Sequence, residues 1–269
     1  MKKLQRFYKS RKMSSHILAS SGDFDNLPLS NIDKPLCLEG QKEDNLKKNR
    51  YTNVLPPDST RVKINGVDYI NANYIDLCES ENTSKKIIAC QGPLKNTEQD
   101  FWTMILENKT PVILMLTKTF EKGKIKCSNY YPLVEEECIY QDGLKVKNNS
   151  VERKEGYVIT ELEVTSRGLP PHKLKHIYYY GWPDCGVPPS KDELLNILID
   201  YSKICVLNPA GIPVCHCSAG LGRTGTVIAI LRCLETKENV KDAVAKLRKQ
   251  RHGMVQTKEQ YRFILNFLM

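Results

Sequence analysis

The sequence lacks any long apolar run, and its longest strictly apolar stretches are residues 112–116 and 227–231. A membrane-spanning helix needs about 20 such residues, so no transmembrane segment is predicted. The N-terminus carries lysines without the apolar core and small-residue cleavage site of a secretory signal. The resulting expectation is a cytoplasmic protein with reduced cysteines.

Metal-binding spacings are also absent. The 10 cysteines include no Cys-x-x-Cys pair, and no His-Glu-x-x-His sequence occurs. We therefore expect no metal ion and no cofactor. Cysteine behaves as a small hydrophobic residue, so most of these thiols are expected to be buried and inert.

The basic excess is concentrated at the N-terminus. Residues 1–12 contribute six of the nine units of net positive charge. Such a segment predicts a disordered basic tail over residues 1–22, followed by one domain over residues 23–269. Weak contact with an anionic membrane is the alternative interpretation, and no nucleic-acid partner is expected.

Hydrophobic patterning predicts a mixed sheet with helices packed on it. A hairpin turn is predicted at Asn65-Gly66 because these residues separate alternating apolar positions. Strands are predicted over residues 87–90, 112–116, 125–131, 157–164, 177–180 and 212–217. Helices are predicted over residues 97–107, 190–201, 223–234, 239–251 and 257–268, with caps at Thr97, Ser190, Asn239 and Thr257.

The most informative segment runs from Val214 to Gly225, with the sequence VCHCSAGLGRTG, between an apolar strand and an apolar helix. A glycine-containing loop at a helix N-terminus directs backbone N–H groups to one point, where an anion binds. Gly220 and Gly222 are expected to allow backbone angles that a β-carbon would oppose. Arg223 adds a planar guanidinium that can hold two oxygens of a tetrahedral oxyanion.

Cys217 lies at the mouth of this predicted anion site. The field that binds phosphate also stabilises a thiolate, and a thiolate beside a bound phosphate is a nucleophile in place. Cys215 precedes it by two residues, and its strand position favours buried packing.

Residues 216–225 match the signature loop of the protein tyrosine phosphatases, and the whole chain resembles that family. Further motifs follow in the family's order from about residue 45 onward. They are Lys48–Tyr51, Asp68–Tyr74, Gln91–Pro93, Phe101–Trp102, Trp182–Asp184 and Gln256–Gln260. The resemblance implies an α/β (α+β) fold with a highly twisted mixed central sheet flanked by helices, and the signature loop between a strand and a helix.

The resemblance also implies hydrolysis of phosphotyrosine through a cysteinyl-phosphate. In this reading Cys217 attacks phosphorus, and Asp184 acts first as general acid and then as general base. The remaining catalytic roles fall to Arg223, Gln256, Thr224 and His216. Substrate contacts are assigned to Tyr51, Asn53, Ser218, Ala219, Gly220, Leu221, Gly222, Gln260 and Lys126.

Several positions depart from the family's usual pattern. Asn53 stands where the family usually has an aspartate that accepts hydrogen bonds from peptide amides, which predicts weaker or different peptide selectivity. Tyr131 stands where a tryptophan is common.

Glu121 and Lys126 fit a family loop beside the active site, with Lys126 predicted to contact Asp184 when the loop closes.

Three functions remain open at this point. The leading hypothesis is a monomeric tyrosine phosphatase that acts on phosphotyrosine-containing proteins. A phosphatase for phosphoinositides or other non-protein phosphates is the alternative, favoured by Asn53 and the basic tail. A phosphotyrosine-binding module without activity is disfavoured because Cys217, Arg223 and Asp184 are all present.

Overall fold

A computed structural model describes residues 24, 25, 27, 34–67, 69–80, 83–134, 136–183 and 186–269. Ten strands are assigned in this part of the chain. Their bounds are β1 Ala72–Ser80, β2 Thr83–Cys90, β3 Val112–Met115, β4 Phe120–Glu121, β5 Lys124–Ile125, β6 Glu137–Ile139, β7 Lys145–Lys154, β8 Tyr157–Thr165, β9 His172–Tyr179 and β10 Val214–His216. The basic tail predicted over residues 1–22 lies outside the described residues, as do Asp68 and Asp184.

Seven α-helices are assigned in the same part of the chain. They are α1 Leu38–Gln41, α2 Glu43–Leu46, α3 Glu98–Glu107, α4 Lys191–Leu207, α5 Gly222–Thr236, α6 Val240–Gln250 and α7 Lys258–Leu268. The N-caps predicted at Ser190, Asn239 and Thr257 are confirmed, since each side chain accepts a hydrogen bond from the backbone N–H three residues later. Thr97 does occupy the predicted N-cap position of α3, but its side chain makes no capping hydrogen bond, because its hydroxyl bonds back to Leu94 in the preceding turn.

Eight of the strands form one mixed sheet in the order β1-β2-β10-β3-β9-β8-β7-β6. The central pairings β2–β10, β10–β3 and β3–β9 are parallel, and the outer pairings are antiparallel. The predicted mixed sheet flanked by helices is therefore confirmed. Strand β10 lies near the middle of the sheet, and the loop that follows it is supported from both sides.

Successive residues of the central strands pack on opposite faces of the sheet, as the two-residue period of a strand requires. Leu114 and Cys215 belong to a core shared with α4, α5, α6 and α7, whereas Ile113 and Val214 belong to a second core beneath α3. Cys215 is fully buried, which agrees with its predicted packing role. The nine described cysteines all have free thiols.

The strand predicted over residues 125–131 was wrong. Only Lys124–Ile125 is extended, paired with Phe120–Glu121 in a two-stranded ribbon. The backbone N–H groups of Lys126 and Cys127 bond to Thr119 and that of Ser128 bonds to Pro93, so no strand can continue. Cys127 and Tyr130 are buried, but neither belongs to a strand.

The turn predicted at Asn65-Gly66 is confirmed, with a bridge between Ile64 and Val67 and a positive φ of 70° at Gly66. The flanking residues do not extend this hairpin. Arg61 bridges to Asn73 and Val62 bonds to Ala72, so they pair with the start of β1 instead.

Candidate active site

Four parallel strands, β2, β10, β3 and β9, end at the same edge of the sheet. Ligand sites in such sheets lie outside the carboxyl ends of the strands. The segments that leave these ends are Gln91–Pro93, residues 116–121, Trp182–Pro183 and residues 217–222. The topology therefore brings four separate sequence motifs to one place.

The loop over residues 217–222 is held with its carbonyl oxygens turned outward. The carbonyl of Cys217 accepts a hydrogen bond from His216 Nδ1 at 3.1 Å. The carbonyl of Ser218 accepts one from the backbone N–H of Gly92 at 2.9 Å. Both partners belong to the surrounding framework, so they fix the first two peptide groups of the loop.

Arg251 holds the next two peptide groups. Its fully buried guanidinium donates from Nη2 to the carbonyl of Ala219 and from Nε to the carbonyl of Gly220, both at 3.0 Å. The carbonyl of Leu221 accepts the N–H groups of Gly225 and Val255. All five carbonyls from Cys217 to Leu221 thus have outer partners.

A trans peptide places its C=O and N–H on opposite sides, so five outward carbonyls turn five N–H groups inward. These are the amides of residues 218–222, and none of them donates to a protein acceptor in the described part of the chain. Buried unpaired amides are costly unless a ligand accepts from them. Because α5 begins at Gly222, its dipole adds to the same field. The loop therefore has the arrangement of donors that an anion site requires.

The two glycines of the loop serve different purposes. Gly220 has a φ of 71°, and a β-carbon there would lie 2.2 Å from the carbonyl oxygen of Cys90. Gly222 has no positive φ, which corrects the expectation that both glycines supply unusual angles. A β-carbon at Gly222 would lie 2.7 Å from Gln256 Oε1 and 2.9 Å from Gln260 Nε2, so this glycine makes room for two glutamines.

Arg223 is anchored before any substrate arrives. Its Nη1 donates to the carbonyl of Leu116 and to Glu121 Oε1, both at 2.9 Å, and its Nη2 donates to Glu121 Oε2 at 2.7 Å. Arg223 and Glu121 are both nearly buried, with side-chain exposures of 4% and 8%. This bidentate ion pair fixes the plane of the guanidinium at the mouth of the loop.

His216 belongs to a buried chain of polar groups. Its Nδ1 donates to Cys217, so Nε2 of the neutral ring accepts from the hydroxyl of Tyr130 at 2.7 Å. That hydroxyl in turn accepts from His176 Nε2 at 2.6 Å. Burial lowers the pKa of His216 to about 4 and that of His176 well below its usual range, and the nearby His216 ring lowers the pKa of His176 further. These contacts allow His216 to orient the loop at Cys217.

The segment before Tyr51 is clamped by one glutamine. Gln91 accepts from the backbone N–H of Arg50 at 2.9 Å and donates to the carbonyl of Lys48 at 2.8 Å. The Arg50 guanidinium donates to the carbonyls of Gly92 and of Pro93. The loop that carries Tyr51 is thereby tied to the loop that supports Ser218.

Tyr51 is half-buried beside the anion site. The Ser218 hydroxyl donates to the carbonyl of Lys126 at 2.9 Å, so it accepts from the Tyr51 hydroxyl, also at 2.9 Å. Tyr51 forms a wall of the pocket and the loop with Ser218 forms its floor, so this hydrogen bond joins the wall directly to the floor. Asn53, two residues later, is exposed at the rim. The Lys126 side chain is partly buried and directly follows the two-stranded ribbon that contains Glu121.

Two glutamines approach the first turn of α5. Gln260 completes the capping box of α7 with Thr257 and also accepts from the backbone N–H of Gln256 at 3.0 Å. Both side chains lie against Gly222, as the spacing above shows. Gln256 is exposed and faces the anion site, whereas Gln260 is buried and holds the backbone in place.

The segment with Asp184 is described only at its two ends. Trp182 is buried, and its Nε1 donates to the carbonyl of Gly186 at 2.9 Å. The amide of Gly186 donates to the carbonyl of Pro183 at 3.2 Å. Asp184 lies outside the described residues, so its predicted contact with Lys126 stays a prediction.

Thr224 lies in the first turn of α5 with a fully buried hydroxyl. Among the described residues this hydroxyl has no hydrogen-bond partner, and the catalytic role that the resemblance implies for Thr224 stays a prediction. The Thr224 hydroxyl lies close to the thiol of Cys215. Burial raises the pKa of that thiol, and the nearby Thr224 hydroxyl lowers it.

The sequence interpretation missed the residues that hold the loop from outside. Arg251, Tyr130 and His176 received no role, and Glu121 was not paired with Arg223. Arg251 also donates to the side-chain oxygens of Asn71 and Asn73, two members of a motif read as structural. A buried arginine has no periodic signal in a sequence, because only the fold shows which carbonyls it reaches.

Within the described ranges, no group of three or more His, Cys, Asp or Glu side chains is arranged to hold a metal ion. No helix among the described residues is both long enough and apolar enough to cross a bilayer.

Comparison of the sequence with known proteins identifies a family and several relatives. The family model described as protein-tyrosine phosphatase matches residues 45–269. The chain is 38% identical over 237 residues to tyrosine-protein phosphatase non-receptor type 20 of Rattus norvegicus, covering 86% of this chain and 55% of the relative.

Two further relatives match over similar spans. Tyrosine-protein phosphatase non-receptor type 2 of Homo sapiens is 36% identical over 264 residues, with 90% of this chain and 63% of the relative covered. Tyrosine-protein phosphatase 3 of Dictyostelium discoideum is 37% identical over 270 residues, with 93% of this chain and 27% of the relative covered. The chain spans about half the length of the first relatives it matches.

Proposed function

This chain belongs to the protein-tyrosine phosphatase family, and from that premise we propose that it hydrolyses phosphotyrosine in proteins. The observation that carries the proposal is the ring of five inward amides over residues 218–222, closed by Arg223 and begun by Cys217. A phosphoryl group needs donors on its three equatorial oxygens and a nucleophile in line with the leaving oxygen. The loop supplies both.

In the first step the Cys217 thiolate attacks phosphorus. A sulfur–phosphorus bond forms while the bond between phosphorus and the tyrosine oxygen breaks. Arg223 and the loop amides hold the equatorial oxygens, and preorganised donors of this kind are usually the largest catalytic contribution. Asp184 donates a proton to the departing tyrosine oxygen, which would otherwise leave as a phenolate.

In the second step water attacks the cysteinyl-phosphate. Gln256 orients the water, Asp184 takes its proton, and the sulfur leaves as a thiolate with inorganic phosphate as the product. Gln260 supports this geometry because it holds the backbone N–H of Gln256. The Thr224 hydroxyl, which has no partner among the described residues, can rotate to donate to the leaving sulfur.

Selection of phosphotyrosine is assigned to the wall formed by Tyr51. Its ring stands half-buried beside the loop, and its hydroxyl is fixed to Ser218. A phenyl phosphate can stack on this ring and still reach the sulfur, whereas the shorter phosphoserine leaves its phosphorus out of reach. Asn53 at the exposed rim gives peptide amides one neutral acceptor instead of a carboxylate, so peptide binding is expected to be weaker.

The test compares phosphate release from a phosphotyrosine peptide by the wild type, Cys217→Ser and Asp184→Ala. Cys217→Ser should show no turnover. Asp184→Ala should lose about 10²–10⁴ in kcat, because general acid catalysis contributes that much, and should keep substrate binding.

A substrate panel with phosphoserine peptides and phosphoinositides completes the experiment. Activity of Cys217→Ser at the wild-type level contradicts the mechanism. A preference for phosphoinositides over phosphotyrosine peptides contradicts the substrate assignment and favours the alternative function.

A further inference from the structure

The backbone at Val255, directly before Gln256, is strained. Its φ is 60°, in the left-handed region that β-branched residues rarely adopt, and its side chain is fully buried. Such a conformation persists only where the surroundings impose it. The groups that hold Val255 in this conformation therefore determine the direction in which the Gln256 side chain points.

The N–H of Val255 is held by the anion loop. It donates to the carbonyl of Leu221 at 3.2 Å, and Gly225 makes this approach possible. A β-carbon at Gly225 would lie 2.5 Å from the nitrogen of Val255. The strained residue is thus seated directly on the first turn of α5.

The carbonyl side of Val255 is held by Arg248, in the last turn of α6. Arg248 Nε donates to the carbonyl of Met254 at 3.0 Å, and Nη2 donates to the carbonyl of Val255 at 2.9 Å. Arg248 is only 6% exposed, and burial lowers the pKa of its guanidinium. One planar side chain therefore fixes the two peptide groups on either side of the strained residue.

A segment outside the family match covers this arginine. The Arg248 guanidinium carbon lies 5.4 Å from the centre of the Phe24 ring, and Phe24 also packs on Tyr261 at 5.7 Å. Leu27, three residues later, is 3% exposed in the helix-side core. The family model begins at residue 45, so Phe24 lies before the residues that it matches.

We propose that Arg248 is a positioning residue for the second chemical step, and that Phe24 holds it in place. Arg248 keeps Val255 in its strained conformation and thereby keeps Gln256 aimed at the attacking water. This inference rests on the proposed function, because it assigns a role within the hydrolysis of the cysteinyl-phosphate. It predicts a selective defect, since the first step uses Cys217, Arg223 and Asp184 but not Gln256.

The experiment measures the two steps separately by rapid mixing with para-nitrophenyl phosphate. The burst reports transfer to Cys217, and the steady state reports hydrolysis where the second step limits turnover. Arg248→Met should lower the hydrolysis rate by about tenfold to a hundredfold, because a small misplacement of a catalytic group can cost about 10². Its burst rate should stay within about threefold of the wild type, and the burst should become more prominent.

Three comparison variants complete the design. Arg248→Lys should recover part of the hydrolysis rate, since one ammonium can bond one of the two carbonyls. Lys249→Met removes the same charge from the exposed neighbouring position and should match the wild type in both phases. Phe24→Leu keeps the apolar cover but removes the ring face, and should slow hydrolysis by about twofold to fivefold with an unchanged burst.

Equal loss of both phases in Arg248→Met, or no loss in either, overturns the proposal for Arg248. If that variant does not fold, Phe24→Leu decides, and an unchanged hydrolysis rate in Phe24→Leu overturns the proposal. A wild type with a burst and a phosphorylated Cys217 preserves the proposed function in each of these cases. A wild type without any cysteinyl-phosphate overturns the proposed function itself.

Discussion

Arg223 carries one positive charge, but its geometry depends on a partner 102 residues earlier in the chain. Glu121 receives two parallel hydrogen bonds from it, and the carbonyl of Leu116 receives a third. The carboxylate holds the guanidinium in one plane. Charge and plane are separable properties, and only arginine provides both.

Replacement of Arg223 by lysine separates the two properties. Arg223→Lys keeps the charge but cannot form the bidentate pair with Glu121, so kcat should fall by about 10²–10³, the usual cost of losing one preorganised donor. Steady-state kinetics with para-nitrophenyl phosphate measure this. The matched control Arg153→Lys, at an exposed position of β7, should retain wild-type kcat. A kcat of Arg223→Lys within about threefold of the wild type would show that charge alone suffices.

At the scale of elements, the anion loop is shaped mainly by what surrounds it. Its carbonyls are bonded by His216, Gly92, Arg251 and two backbone amides from neighbouring segments. The loop therefore depends on strands and helices that are distant in sequence. A change that disturbs these supports should affect catalysis more than a change of equal strain elsewhere.

Gly220→Ala and Gly143→Ala test this dependence as a matched pair. Both glycines have nearly equal positive φ values, 71° and 76°, so alanine pays a similar conformational cost of about 1 kcal/mol at each. At Gly220 the new β-carbon would also meet the carbonyl oxygen of Cys90 at 2.2 Å, whereas at Gly143 nothing lies within 4 Å. Activity should fall at least about 100-fold in the first variant and remain unchanged in the second. Thermal unfolding and kcat/KM measured together distinguish the two, and equal activities would contradict the argument.

Sequence patterning predicted elements best where they carry their own signals. Ser190, Asn239 and Thr257 were identifiable as caps because capping is decided within four residues. Strand β7 was missed because Lys145–Lys154 is mostly exposed and charged, and its pairing with β8 holds it extended. Strand β1 was missed as well. Its core contacts come from Ala72, Ile75 and Leu77, but the polar residues between them hide the pattern.

At the scale of the whole molecule, two histidines are buried in a neutral state against Tyr130 of the second core. His176 and His216 are both fully inaccessible, and burial lowers the pKa of each. In the unfolded chain a histidine takes up a proton near pH 6.5. Between that pH and about 4 the unfolded state binds more protons than the folded state, so the free energy of unfolding falls as the pH is lowered.

The variant His176→Asn should reduce this pH dependence. Removing one such group should flatten the slope by about 1.4 kcal/mol per pH unit below pH 6.5. Denaturant unfolding at pH 7, 6 and 5 measures the slope. Leu174→Ala, in the same strand, creates a cavity without removing a titrating group and should shift the curve without changing its slope. Parallel curves for His176→Asn and the wild type would contradict the assignment of a neutral buried ring.

The residues proposed to touch substrate could be named from sequence because they lie in short motifs. Tyr51, Gln256 and residues 216–225 are brought together by the parallel centre of the sheet. The outer supports could not be named in this way. Arg251 reaches residues 71, 73, 219 and 220 through space, and no local pattern encodes those distances.

The hydrogen bond between Tyr51 and Ser218 joins the wall of the pocket to its floor, and Gln91 ties the wall to the neighbouring strand end. The distance from the rim of the pocket to the Cys217 sulfur is therefore fixed by groups that are hydrogen-bonded to one another. The depth of the pocket therefore stays the same when the surrounding loops move. We expect the ratio of aryl to alkyl phosphate turnover to stay nearly constant from 10 to 35 °C, while either rate alone changes severalfold.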